Sequence, residues 1–227
     1  MLQMFAMTYY LMVYLMACKL YSPVMAGTGL LPFVVTVVPV SALTGPAITK
    51  LGRYRWAIWL GWSVSVLGLG LLIVLGVGTH PAIWVFIFIC AGAPQGLLLN
   101  GHATAISASC GSEDAAHAAS MYSFMRSFGL CLGVIVGGTV FQNFLRMRLA
   151  HDGLPSISAE FEGFIPILQK MGDEDPMKLA LQQAYAWALN MLFATSTGIG
   201  FIGLLLSLTT GDYPLNTAFR PQHRLRK

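Results

Sequence analysis

One apolar segment of the chain carries polar side chains at a helical spacing. Gln95 and His102 are seven residues apart and share one face of a helix, whereas Asn100 falls on a second face. Polar groups at membrane depth usually face a bundle interior or a wet cavity. We therefore predict Gln95, Asn100 and His102 as cavity candidates. A hydrogen-bonded packing role is the alternative for His102, which can also titrate near neutral pH.

A single cation stands in the next apolar segment. Arg126 lies one turn before a row of glycines at every fourth position, and such a row lets a second helix approach closely. The row is Gly129, Gly133 and Gly137. A guanidinium inside a membrane needs a partner or must reach the interface. We predict that Arg126 lies about 10 Å inside the cytoplasmic face and bridges helices at the inner gate; extension toward the headgroups is the alternative.

Catalysis would need residue sets that this sequence does not provide. The long uncharged runs contain no Asp or Glu, and the chain has no HExxH or Gly-x-Ser-x-Gly motif. Its four cysteines form no CxxC pair and have no zinc-like spacing to histidine. We expect no enzymatic activity, no metal site and no cofactor. Nucleic-acid binding is also disfavoured, because the net charge of +4 is modest.

The elements that position these residues are long and almost free of charge. Of 227 residues, 56% are hydrophobic and 10% are charged, against roughly 45–50% and 25% in soluble domains. Several runs reach the length of about 20 residues that spans a bilayer, and they lack the alternation of membrane barrels. We predict an all-α membrane protein with one transmembrane domain of six helices. The predicted spans are approximately 2–18, 25–49, 56–78, 81–106, 118–145 and 183–210.

The distribution of cations predicts an orientation. A short loop holds Lys50, Arg53 and Arg55, and short loops rich in Lys and Arg remain in the cytoplasm. Alternation then places a long loop, 146–182, outside and a basic tail, 212–227, in the cytoplasm. Most of the acidic residues fall in that outer loop. The two arginines at its start oppose this orientation mildly.

The short basic loop also carries a more particular pattern. In "GPAITKLGRYRW", a glycine is followed after three residues by "TKLGRYR". This resembles the cytoplasmic-loop signature of the major facilitator superfamily, a Gly followed three residues later by Asp-Arg/Lys-x-Gly-Arg-Arg/Lys. The matching positions are Gly45, Lys50, Gly52 and Arg53. Threonine replaces the usual Asp and Tyr54 separates the arginines, a degeneracy typical of the repeat in a carboxyl-terminal half.

The resemblance implies two roles for this loop. Gly52 supplies the backbone freedom of a tight turn. The cations, Arg55 among them, can reach the carbonyl ends or acidic groups of neighbouring helices and latch the inward-closed state. A turn that serves topology alone is the alternative.

Three further segments extend the resemblance over nearly the whole chain. "KLYSPVMAGTGLLPF" resembles an outer loop and helix of the fourteen-span drug:proton antiporter branch. "SMYSFMRSFGLCLGVIVGGTVFQN" is similar to the penultimate helix of fungal members, and "AYAWALNMLFATSTGIGFIGLLLSL" is similar to their last helix. Complete members have twelve or fourteen helices. The chain therefore resembles their last six, which is half of a major facilitator fold.

The resemblance implies proton-coupled efflux of small amphipathic molecules from a plasma or vacuolar membrane. The expected partners are a small-molecule substrate, membrane lipid, and either a missing amino-terminal half or a second copy. A proton-coupling acid is absent from the spans and is expected in the missing half. A truncated gene model and a natural half-protein both fit. The alternatives are a half-size homodimeric transporter and a non-transporting assembly or regulatory subunit.

Overall fold

The computed structural model describes residues 2–110, 114–153, 161–172 and 176–211. These residues form eight helices and no strand. The helices are α1 (Leu2–Ala17), α2 (Pro23–Gly29), α3 (Leu31–Leu51), α4 (Arg55–Leu72), α5 (Pro81–Ser109), α6 (Ala115–His151), α7 (Phe161–Lys170) and α8 (Pro176–Leu208). The predicted basic tail, 212–227, and part of the predicted outer loop lie outside the described residues.

Among the described residues, five helical segments are long and apolar enough to cross a membrane. They are Pro23–Leu51, Arg55–Leu72, Pro81–Ser109, Ala116–His151 and Pro176–Leu208. The described part of α1 is shorter, at 16 residues. The prediction of an all-α membrane protein is thereby confirmed.

Helices also occupy parts of the segment predicted as an outer loop, 146–182. Helix α6 continues to His151, α8 begins at Pro176, and α7 lies between them. Helix α7 is strongly amphipathic, and its Ile165 and Leu168 belong to the buried core. The segment is therefore partly helical and partly packed onto the bundle.

The second predicted span is divided at one point. Leu30 separates α2 from α3, and its N–H donates to the carbonyls of Ala26 and Gly27 at 3.1 and 3.2 Å. Pro32 lies at the start of α3, where a backbone donor is not needed. Helix α3 then continues through Pro39 and Pro46 without a break.

Close helix approaches are concentrated on α5. A Cβ at Gly92 would lie 2.6 Å from the Phe33 carbonyl oxygen, and one at Gly96 would lie 2.7 Å from the Val37 carbonyl oxygen. Only glycine allows α3 to pack so near, as is common in membrane bundles. Helix α5 also packs along α4, which in turn contacts α8, while α1 packs against α6 and α8.

The bundle has two ends that differ in packing. The end where α6 terminates and α8 begins, here the α7 end, contains a large aromatic core that includes Tyr10, Tyr14, Phe141, Tyr185 and Phe193. The opposite end carries the loop between α3 and α4 and is here the basic-loop end. Its buried cluster is small and consists of Ile48, Tyr54, Ala57 and Ile58.

Candidate functional site

A cavity of about 520 Å³ opens among α4, α5, α6 and α8 at the basic-loop end. The α6 wall follows one helical face, because its residues are spaced by three or four. That wall consists of Tyr122, Met125, Arg126 and Gly129. Most of the remaining lining is apolar and comes from the other three helices. Arg126 and His102, two predicted site residues on different helices, therefore line one cavity.

His102 lies at the back of this cavity against an aromatic ring. Its imidazole meets the Trp62 indole edge-on, with ring centroids 6.2 Å apart and planes at 67°. The same two residues also line a much smaller cavity that contains Gln95. The pair of rings thus lies between the large cavity and a buried glutamine.

Gln95 is 5% exposed, and its amide nitrogen has no hydrogen-bond partner within the described part of the chain. The adjacent Gln3 on α1 is partnered, because its amide nitrogen donates to the Ser196 carbonyl at 3.1 Å. A buried polar group without a partner costs about 1–3 kcal/mol. The small cavity therefore contains a hydrogen-bond donor, the Gln95 amide, that the described residues leave unsatisfied.

Asn100 lies at the contact between α5 and α3 and does not line the large cavity. Its amide nitrogen donates to the Ser41 hydroxyl at 2.9 Å and to the Ser41 carbonyl. The structure therefore brings Gln95 and His102 to adjoining cavities and places Asn100 on a helix-packing face.

Arg126 has an exposed side chain and lines two cavities. The second cavity, of about 260 Å³, lies toward the start of α1 and includes Phe5. Within the described ranges Arg126 forms no ion pair, and the carboxylate pairs found there all involve Asp152. The neighbouring Tyr122 donates its hydroxyl to the Leu99 carbonyl of α5 at 3.3 Å. A gating contact of Arg126 stays a prediction.

The glycine row of α6 passes from the packed region into the cavity wall. Gly137 packs against α1, where an added Cβ would lie 2.6 Å from the Tyr10 ring. Gly133 is buried, whereas Gly129 is half-buried and lines the large cavity. The row therefore begins in the cavity wall at Gly129 and ends in a close helix contact at Gly137.

The basic loop is a capped turn. Gly52 ends α3 with φ +65°, and its N–H donates to the Ile48 carbonyl at 2.9 Å. Lys50 and Arg53 are exposed, and the Arg55 guanidinium lies 4.8 Å from the centre of the Trp59 ring. At Gly45, no described residue lies within 4 Å of the position that a Cβ would take.

Tyr54 was missed as a functional candidate because it interrupts the basic signature. The structure buries it to 1% exposure, and its hydroxyl donates to the Gly211 carbonyl at 2.9 Å. Trp59 makes a parallel contact, since its indole nitrogen donates to the Ser207 carbonyl at 3.0 Å. Both bonds tie the basic loop to the end of α8. The sequence did offer one signal for Tyr54: an aromatic residue stands where the signature usually has a cation.

The fold and site define a multi-pass integral membrane protein with a largely apolar cavity between its helices that also holds a cation. No family model matches the chain. It is 35% identical to the MFS transporter L2 of Phoma sp. over 94% of its length. It is 28% identical to the MFS efflux transporter aclA of Aspergillus oryzae over 92%, and 27% identical to the efflux pump FUS6 of Gibberella fujikuroi over 93%.

The chain is thus a relative of fungal major facilitator superfamily transporters, and its fold is half of a major facilitator fold. This confirms the resemblance predicted from the basic loop and the three longer segments. The relatives are named as transporters or efflux pumps and not as enzymes. The chain spans 36%, 39% and 40% of the lengths of the three relatives.

Proposed function

We propose that this chain forms the carboxyl-terminal half of a proton-coupled exporter of small amphipathic molecules in the fourteen-span branch. The similarity to efflux transporters over nearly the whole chain carries this proposal. The large cavity supports it, because its mixed lining suits molecules with both apolar and polar parts.

The remainder of such an exporter would be the partner of this chain. Support comes from the apolar faces that the chain leaves uncovered, including Val35 and Val38 on α3 and Phe124 on α6, each exposed by about 60%. The proton-carrying acid would belong to that remainder, since the predicted spans contain no Asp or Glu. The host membrane would be the plasma or vacuolar membrane.

Reconstitution into vesicles tests the proposal. Vesicles with the chain alone should show no proton-driven efflux of an amphipathic dye, and the chain should self-associate through its uncovered faces. A complete transporter ending in this chain should export the dye and stop when a protonophore collapses the gradient. Robust efflux by the chain alone would favour the half-size homodimer. Failure of both would favour the non-transporting subunit.

Orientation needs a separate measurement. In a variant without native cysteines, a cysteine near Gly153 should react with an impermeant reagent added outside. A cysteine at position 112, which lies outside the described residues, should not react. The reverse pattern would invert the proposed topology.

A further inference from the structure

The large cavity combines a cation with apolar walls. Among the described residues, Arg126 forms no ion pair and the lining of the cavity includes no acidic side chain. Ile58, Trp62 and Leu206 provide apolar surface on the opposite walls. Apolar walls beside a guanidinium have a low dielectric constant and focus its field, so its attraction for an anion is stronger than in bulk water.

We propose that this cavity binds an anionic amphiphile. Its carboxylate or phosphate pairs with Arg126, and its apolar body lies against Trp62, Ile58 and Leu206. The planar guanidinium suits either anion because it offers two parallel N–H donors. This inference rests on the proposed function, in which the same cavity suits amphipathic molecules, and adds the charge of the molecule. Its test requires neither transport nor a proton gradient.

The size and position of the cavity agree with such a ligand. Its volume of about 520 Å³ lies within the range of roughly 300–1,000 Å³ typical of small-molecule sites. Ile58 follows Arg55 by three residues, about 4.5 Å along α4, so the cavity begins beside the basic loop. The exposed cations there, Lys50 and Arg53, would raise the local concentration of anions.

A second observation points to a polar group within reach of the inner wall. Behind Trp62 and His102 lies Gln95, which is 5% exposed and whose amide nitrogen no described residue partners. Such groups are rare in folded proteins unless a ligand or water satisfies them. A polar atom of a ligand, or a water that it traps, could satisfy this donor if the Trp62 and His102 rings part.

Quenching of Trp62 by a brominated amphiphile measures binding directly. The full chain is placed in neutral phosphatidylcholine nanodiscs, and dibromostearate is added at low mole fraction. The Trp62→Phe variant identifies the share of the signal that comes from the cavity. Arg126→Gln should weaken the affinity measured from the Trp62-dependent quenching about tenfold, as expected for loss of one charge-assisted contact. Arg126→Lys should retain most of it.

Two controls isolate the anion site. Arg146→Gln makes the same change on an exposed residue of α6 at the α7 end and should leave quenching unchanged. The uncharged methyl ester of dibromostearate should bind about tenfold more weakly than the acid. Equal binding of acid and ester, or equal binding by wild type and Arg126→Gln, would overturn the proposal.

A cavity-filling variant tests the site without changing Arg126, so that loss of binding can be distinguished from loss of folding. Ala105 lines the cavity, and Ala105→Phe should abolish the Trp62-dependent quenching while helicity measured by circular dichroism is unchanged. Persistent quenching in that variant would refute the site. Brominated phosphatidylglycerol and free decanoate distinguish the sources: quenching by the lipid identifies a leaflet phospholipid, and competition by decanoate alone identifies a free amphiphile.

Discussion

The two ends of the bundle differ in how completely their helices are packed. At the α7 end, Phe141 is fully buried between Tyr10 and Tyr185, with ring centroids 5.7 and 6.0 Å away. At the basic-loop end, the first half of α6 is largely exposed, including Phe124 and Phe128. Since lipid is as apolar as leucine, helix association in a bilayer depends on such close contacts. The α7 end is therefore the anchor of this half.

Polar contacts reinforce the same asymmetry. At the α7 end, the Lys19 ammonium donates to the carbonyls of Val77 and Thr79 at 2.7 and 2.6 Å, just beyond the end of α4. Burial lowers the pKa of Lys19. At the other end, the cation of α6 lines a cavity instead. We infer that α6 moves more easily at the basic-loop end than at the α7 end, because its first half is largely exposed.

The largest expected effect concerns the aromatic packing at the α7 end. Phe141→Ala should lower the free energy of unfolding by about 2 kcal/mol or more, because it leaves a cavity in a packed aromatic cluster. Phe128→Ala, on the same helix but 53% exposed, should change it by less than about 0.5 kcal/mol. Denaturant titration in mixed micelles measures both. Similar losses for the two variants would contradict the asymmetry.

Part of the fold was accessible from the sequence. The helical type of the long segments followed from their uncharged runs, and the turn at Gly52 followed from a motif whose chemistry is local. The number of spans, six, stays a prediction, since five described segments are long and apolar enough to cross a membrane. The contrast between ends was not accessible, because runs apolar on every face do not reveal which side meets protein and which meets lipid. Asn100 illustrates the limit: its polarity predicted a neighbour, yet only the fold shows that the neighbour is Ser41 on α3.

A second prediction concerns the two glycines of the basic-loop signature. Gly52→Ala should destabilise the protein by about 1–2 kcal/mol, because φ +65° is unfavourable for a residue with a Cβ. Gly45→Ala should be neutral or slightly stabilising, since this glycine is inside a helix with open space beside it. Mixed-micelle unfolding of the chain alone distinguishes them. A large loss from Gly45→Ala only in a complete transporter would show that another segment packs there.

A third, smaller effect compares two buried tyrosine hydroxyls at different levels of the bundle. Tyr54→Phe should lower the free energy of unfolding by about 1 kcal/mol, because it removes the hydrogen bond to the Gly211 carbonyl. Tyr10→Phe should be neutral or stabilising, since the Tyr10 hydroxyl is buried without a partner among the described residues. The same unfolding assay applies to both. Destabilisation by Tyr10→Phe would reveal a partner for that hydroxyl.

The smallest expected effect is a pH dependence where α6 ends. The Asp152 carboxylate lies 3.0 Å from His151 Nδ1 and 2.9 Å from Arg148 Nε. The hydrogen bond with His151, together with the charge of Arg148, lowers the pKa of Asp152. Because the folded state favours the ionised form, this contribution is present above the pKa of the unfolded chain and is lost as pH falls through the folded pKa.

The free energies of unfolding of wild type and Asp152→Asn should therefore differ most near neutral pH. They should converge in acid, at a pH below the ordinary range of the Asp pKa. The difference should be small, because exposed ion pairs contribute little. Unfolding titrations of both proteins between about pH 3 and pH 7 measure it against the reference pKa of about 3.9. Asp152 caps α6 at the α7 end. If the difference in free energy of unfolding between the two proteins grew in acid, the carboxylate would destabilise that end instead of stabilising it, which would contradict the prediction.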